Sequence, residues 1–298
     1  MKKYLLFALL SATVGMGFVS CSEDDLNSES VITADKQQEN EFDKWLKVNY
    51  VSTYNINFKY RYEYKEADPD YYTVPADLNQ AIEMAHLVKY LCLEAYDEVA
   101  GVTFTRTYFP KMIFTIGEWE YRNNHTFILG TAESGKKILL TGVNYIDQYK
   151  TSAAALNYYY FKTIHHEFTH ILNQTVDYSA DFKLITGTGY VADSWSVEPY
   201  DTDYLKRGFI SAYAQHSHTE DFAEMMSMYI TNSKEQWDAW MEEAGSVGEP
   251  LLQAKLEIVR DYMLTNYNID IDKLRSTILR RQADLAAGKV DLTDISVK

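Results

Sequence analysis

Two histidines four positions apart with a glutamate beside the first, His166-Glu167-Phe168-Thr169-His170, are the residues of this 298-residue chain best suited to hold a metal ion and move a proton. Side chains four apart lie on one face of a helix, so a helix here turns both imidazoles toward one point. Imidazole is a good zinc ligand, and a zinc site that does chemistry takes three protein ligands and keeps a fourth position open for water. Glu167 lies next to the pair around the helix, outside the ligand set, where its carboxylate can take a proton from that water. A five-residue match can arise by accident in a chain with seven histidines. The surroundings argue against accident, because Phe161, Ile164, Phe168 and Ile171 recur at helical spacing as an apolar stripe roughly opposite His166. One face can bury while the other looks into a cleft. His165 points about 100° away from His166, which suits a structural role, or one behind the ligands, better than ligation.

The third ligand has to come from elsewhere in the chain. The segment Glu220-Asp221-Phe222-Ala223-Glu224 is the best supplier, since Glu220 and Glu224 share a helix face while Phe222, Met226 and Tyr229 can pack on the other side. In that arrangement Glu220 binds the zinc and Glu224 orients a bound histidine through its second ring nitrogen. The residues alone leave the choice open. His216 and His218 lie just upstream and could supply a nitrogen, and Asp221 or Glu224 would replace Glu220 in a different helix register.

These side chains need a scaffold, and hydrophobic periodicity outlines one. It predicts a helix over 41–54 through Phe42, Trp45, Leu46 and Val48, and a stronger one over 77–99 with Asp77 as its cap. Cys92 falls in the apolar series of the second helix and reads as a buried, inert thiol. Short segments rich in Ile, Phe and Leu at 111–116, 125–129 and 137–140 read as neighbouring strands. Helical patterns return after Thr151 and continue at 219–229, 234–244, 251–264 and 271–285, while 177–203, with Gly187, Gly189 and Pro199, reads as long loops of the kind that carry function. The expected class is α+β: a small mixed sheet, a helix bearing the histidines, and a mainly helical C-terminal lobe, all within residues 41–298.

The first forty residues read differently. Lys2 and Lys3 followed by an apolar run to Val19 make a secretory leader over 1–20, too short for a membrane span. Phe18-Val19-Ser20-Cys21 resembles a bacterial lipobox, which implies a lipid anchor at Cys21. The polar, acidic stretch 21–40 is then a flexible tether. With Cys21 lipidated, Cys92 has no partner and no disulfide forms within the mature chain. The formal charge is −15, and loss of Lys2 and Lys3 takes it to −17. No basic stripe offsets it, which excludes nucleic acid as a partner.

His166, Glu167 and His170, followed some fifty positions later by Glu220 and Glu224, resemble the gluzincin metallopeptidases, in which a second helix provides a glutamate ligand. The run from Tyr213-Ala214-Gln215 through Glu220-Asp221-Phe222-Ala223-Glu224 is similar to the catalytic half of anthrax lethal factor and related zinc proteases. With its lipobox and size, the chain also resembles the substrate-import-associated zinc metallohydrolase lipoproteins of Bacteroidetes. The resemblance implies a zincin-like fold with Zn2+ as cofactor, Glu220 as third ligand, Glu224 as its supporting acid and Tyr213 as a transition-state donor. It implies an endopeptidase acting on peptide or protein substrates, with a sheet edge, at 125–129 or 137–140, pairing with the extended substrate. It places the protein on the outer membrane, facing the exterior as the acidic run Ser22-Glu23-Asp24-Asp25 suggests. The competing function is a zinc-stabilised nutrient- or peptide-binding lipoprotein accessory to an outer-membrane importer. Glu167 discriminates between them, because a site that only holds a metal gives it no task. Nothing in the sequence addresses the oligomeric state.

Overall fold

Several of the helices begin where the sequence supplies a side-chain cap. The computed structural model describes residues 38–121, 127–128, 130–133 and 137–297; the leader, Cys21, the tether up to residue 37, and His125 lie outside the described residues. Helix α1 (Glu41–Leu46) opens on a capping box in which Asn40 and Asp43 each accept from the other's backbone N–H at 2.8 Å. It widens into a π-helical turn, Lys47–Ser52, that carries Tyr50 inward to donate to the Ala85 carbonyl at 2.5 Å. Asp77 caps α2 (Leu78–Val88), as its place in the sequence predicts. A second π-helical turn, Lys89–Leu93, joins α2 to α3 (Glu94–Ala100), so the helix expected over 77–99 is one path with a register shift inside it. Cys92 lies fully buried in that turn, and burial pushes its thiol pKa far up, which leaves it unreactive. Helix α4 (Val102–Tyr108) follows Gly101.

The strands are β1 (Asn57–Lys59), β2 (Met112–Thr115), β3 (Glu120–Tyr121), β4 (Phe127–Ile128), β5 (Gly130–Glu133) and β6 (Lys137–Leu140). Four of them form a mixed sheet in the order β1-β2-β6-β5, the first three parallel and β5 antiparallel to β6, with Ile138 opposite Ile113 on one side and Ala132 on the other. All four residues of β6 are buried, which is why its sequence Lys-Ile-Leu-Leu shows no alternation. The pair β3-β4 is a separate antiparallel ribbon. This corrects the expectation that 137–140 could be the substrate edge, because β6 is paired on both sides. The described part of 125–129 belongs to the two-stranded ribbon. Among the described residues, the open edge next to β6 in the four-stranded sheet belongs to β5, whose Gly-Thr-Ala-Glu sequence carries no strand signal.

The helical part begins with α5 (Ala153–Leu156) and a π-helical turn, Asn157–Phe161, that feeds α6 (Lys162–Thr175). Phe168 on the back of α6 sits among Tyr96, Phe104 and Phe109, with ring centroids 4.9–5.9 Å away. Burying such a side chain contributes about 1.5–3 kcal/mol, and here it fixes which face of α6 is left for the cleft. A short α7 (Asp181–Ile185) and several 3-10 turns lead to α8 (His218–Thr231), capped by Ser217, whose hydroxyl accepts from the Glu220 N–H. Helices α9 (Lys234–Tyr267) and α10 (Ile271–Ala286) complete the chain, and α8 packs against α6, α9 and α10 at once. The path Lys234–Tyr267 is two helical segments that meet at a kink at Gly245 (φ 64°, ψ −169°), a conformation that glycine tolerates, so the break between the helices expected at 234–244 and 251–264 is present. At Gly248 an added Cβ would stand 2.0 Å from the Leu205 carbonyl, so the loop before α8 lies directly on the α9 backbone.

Candidate metal centre

Helix α6 brings His166 and His170 onto one face, and the first turn of α8 brings Glu220 across to meet them. The two Nε2 atoms are 3.0 Å apart, and Glu220 Oε2 lies 2.9 Å from that of His166 and 3.2 Å from that of His170. Bonds of about 2.0–2.2 Å at tetrahedral angles put ligand atoms about 3.3 Å apart. The observed triangle is close to that size. Two ring nitrogens aimed at each other and at one carboxylate oxygen are best satisfied by a cation shared among them, and the three residues form a group that could hold one. Two imidazoles and a carboxylate are a donor set that suits zinc with one position left open.

The charges around the triangle point the same way. Burial opposes a proton on His166, yet Glu220 and Glu224 together lift its pKa to about 9. Burial would raise the pKa of Glu224, but Lys162, with its Nζ 2.6 Å away, and His166, with Nδ1 at 2.8 Å, hold the carboxyl well below the ordinary range. Ser211 donates to the other oxygen of Glu224 at 2.6 Å. Glu220 is likewise held low against the effect of burial by His166 and His170. Two anions around two imidazoles therefore favour positive charge at the centre, which Zn2+ brings. Glu224 stands behind His166 on the side away from the triangle, the position of a group that orients a ligand.

Glu167, His170 and Glu220 line a cleft of about 670 Å³ that runs on past Asn173, Tyr178 and His218. Tyr213 sits in a 3-10 turn, Tyr213–Gln215, with its ring 6.0 Å from that of His166 and edge-on to Trp195 at 5.1 Å. Burial first, then the nearby carboxylates of Glu220, Glu224 and Glu167, push its hydroxyl pKa far up, so at neutral pH it keeps a proton to donate.

The other candidates point elsewhere. His216 Nε2 lies 3.4 Å from Asp193, and His218 Nδ1 lies 2.7 Å from the Tyr178 hydroxyl. Asp221 faces the opposite side of α8, where Lys255 Nζ is 2.5 Å away. His165 is buried with Nδ1 3.1 Å from the Tyr96 hydroxyl, and burial depresses its pKa to about 3. Two partners of Glu224 escaped the sequence reading. Lys162 was within reach of it, being four residues before His166 on the same helix face; Ser211 gave no local signal.

A helix presenting His-Glu-x-x-His beside a small mixed sheet, completed by a glutamate from a second helix, defines a zinc-binding metallopeptidase centre. The chain belongs to the family described as "Putative zinc-binding metallo-peptidase", whose model matches residues 35–272. It is similar to a crystal structure from Bacteroides caccae described as a "putative zinc-binding metallo-peptidase", at 38% identity and a TM-score of 0.76, over 90% of this chain and 100% of that one. No curated protein matches the chain.

Proposed function

We propose that this protein is a zinc-dependent endopeptidase of the gluzincin type, with His166, His170 and Glu220 as ligands and Glu167 as general base. The observation that carries the reading is Glu167, set on the cleft wall beside two of the three converging ligand residues. Zinc, when bound, acidifies a water and polarises the carbonyl to be attacked. The Glu167 carboxylate takes the proton of the attacking water and passes it to the leaving nitrogen. Tyr213 donates through its hydroxyl to the oxygen on which negative charge develops. Glu224, itself held by Lys162 and Ser211, keeps the His166 ring in place through Nδ1. The open edge of β5, which lies alongside α6, offers backbone groups to an extended peptide.

The similarity of the Tyr213–Glu224 region to lethal factor supports the peptide reading, and the leader with Cys21 supports an outer-membrane lipoprotein facing outward, related to the import-associated metallohydrolase lipoproteins. Loss of membrane fractionation in Cys21→Ala tests the anchor; unchanged fractionation refutes it. For activity, the purified protein is incubated with denatured-protein and peptide mixtures, with and without chelator, and new termini are read by mass spectrometry. Glu167→Gln should keep its zinc and lower turnover by about 10³-fold, and Tyr213→Phe should keep its zinc and lower kcat by about 10²-fold. Wild-type turnover in Glu167→Gln sinks the mechanism, and ligand capture without new termini favours the binding lipoprotein.

A further inference from the structure

Tyr213 stands beside the metal centre on a single 3-10 turn, Tyr213–Gln215, whose own hydrogen bonds are few and of poor geometry. What secures the turn is the side chain of Gln215, which is fully buried. Its Oε1 accepts from Arg207 Nε at 2.9 Å, and its Nε2 donates to the Tyr200 carbonyl at 2.7 Å and to the Ala212 carbonyl at 3.1 Å. Those partners allow one orientation of the carboxamide. Arg207 closes the clamp from outside, its Nη2 donating to the Tyr200 carbonyl at 3.1 Å and to the Thr202 carbonyl at 2.5 Å. The backbone carbonyl of Gln215 accepts from the Val191 N–H at 2.8 Å. Two residues from Tyr213, one glutamine therefore joins the turn to both ends of the segment 191–202.

A leucine or methionine would fill the same space with no polar atoms to satisfy. Burying a carboxamide costs free energy unless its hydrogen bonds are made, and a satisfied buried network in return specifies one arrangement of the segments it joins. Among the described residues, none of the bonds of this side chain goes to His166, His170, Glu220 or Glu224, so it acts on the turn and not on the metal ligands. The segment that Gln215 anchors also packs on the tyrosine, with Trp195 edge-on to the Tyr213 ring at 5.1 Å. We propose that Gln215 is a positioning residue for Tyr213: clamped by Arg207 and the Tyr200 carbonyl, it fixes the turn so that the tyrosine ring stays beside His166. Its consequence for catalysis rests on Tyr213 being the transition-state donor proposed above, whereas its hold on the ring does not. A donor displaced by about 1 Å from a preorganised site loses about 10²-fold in rate.

The test uses the full zinc-loaded protein with 3-fluorotyrosine placed at position 213 alone, read by fluorine NMR, together with kcat and KM on denatured casein. The wild-type protein should give one resonance, displaced from that of free 3-fluorotyrosine. Gln215→Leu should split it or move it toward the free value, with zinc content unchanged. Arg207→Met leaves the carboxamide in place and removes its outer clamp; it should shift the resonance the same way by less, and it carries the test alone if Gln215→Leu does not fold. In catalysis, Gln215→Leu should lower kcat at nearly constant KM, by no more than the about 10²-fold of Tyr213→Phe. In a Tyr213→Phe background it should lower kcat no further, since an effect that passes through the hydroxyl vanishes with it. An unchanged resonance in the folded variants, or an equal loss of kcat in both backgrounds, overturns the proposal. Full kcat in Tyr213→Phe, or no turnover of casein, counts instead against the function proposed above, and the resonance then decides the positioning by itself.

Discussion

Two fully buried carboxylates stand three residues apart in α8 and meet opposite fates. Glu224 faces α6, where Lys162, Ser211 and His166 surround it and hold it as an anion far below the ordinary pKa. Asp221 faces α9, with Lys255 at 2.5 Å and the Tyr190 hydroxyl donating at 2.9 Å, yet burial pushes its pKa up to about 6 in spite of the lysine. Lys162 keeps 29% of its side chain in water while Lys255 has none exposed, and burial drives the Lys255 pKa down. Equal burial of the acid therefore does not mean equal charge. What differs is how many cationic groups share the anion and whether they remain solvated. The negative charge of Glu224 is spent on a histidine of the metal centre. The Asp221–Lys255 pair instead ties together segments: Lys255 also donates to the Gly208 carbonyl at 2.7 Å, and Tyr190 hangs from Asp221, so α8, α9 and the loop leading to Ser211 and Tyr213 meet at one point.

The sharpest way to test the metal-facing side is Glu220→Ala, which removes one of the three converging ligand atoms. Its zinc affinity should fall by more than the roughly 10–100-fold typical of groups behind a ligand, with turnover lost and the circular dichroism unchanged. Normal zinc binding in this variant, together with loss in His216→Ala or His218→Ala, would move the third ligand upstream. On the other side of the helix, Lys255→Met leaves Asp221 buried without its cation and should cost about 3–5 kcal/mol in a urea titration. The double variant Asp221→Leu/Lys255→Met should recover most of that loss, since buried pairs replaced by apolar groups are often neutral. If the single variant is as stable as the wild type, the pair does not hold the segments together.

Smaller effects separate the two carboxylates further. Glu224→Gln should lower zinc affinity about 10–100-fold and leave the zinc-free fold close to wild type, so an unchanged affinity would dissociate Glu224 from the centre. The pH dependence of stability should carry the mark of Asp221. Its folded pKa, about 6 against the ordinary 3.8, means the native state binds the proton more tightly than the unfolded chain between those values. Stability contributed by this group is therefore lost as pH rises from about 4 to 6. Asp221→Asn should flatten that segment of the stability–pH curve, and an identical slope in the variant would show that Asp221 titrates like an exposed acid.

Sequence by itself determined what is local. The i, i+4 spacing of His166 and His170, the apolar stripe behind them, the Asp77 cap and the buried position of Cys92 all follow from helix geometry and side-chain chemistry within a few residues, and the structure has each of them. The α+β class followed from the same patterns. What only the tertiary structure decided involves more distant segments. Strands β1 and β5 are short and polar, so their pairing with β2 and β6 left no periodic trace. Above all, Glu220, Asp221 and Glu224 are chemically interchangeable as candidates until the rotation of α8 is known. That rotation is set by packing against α6, α9 and α10 and by Lys255 on the far side, which together turn Glu220 and Glu224 toward the histidines and Asp221 away from them.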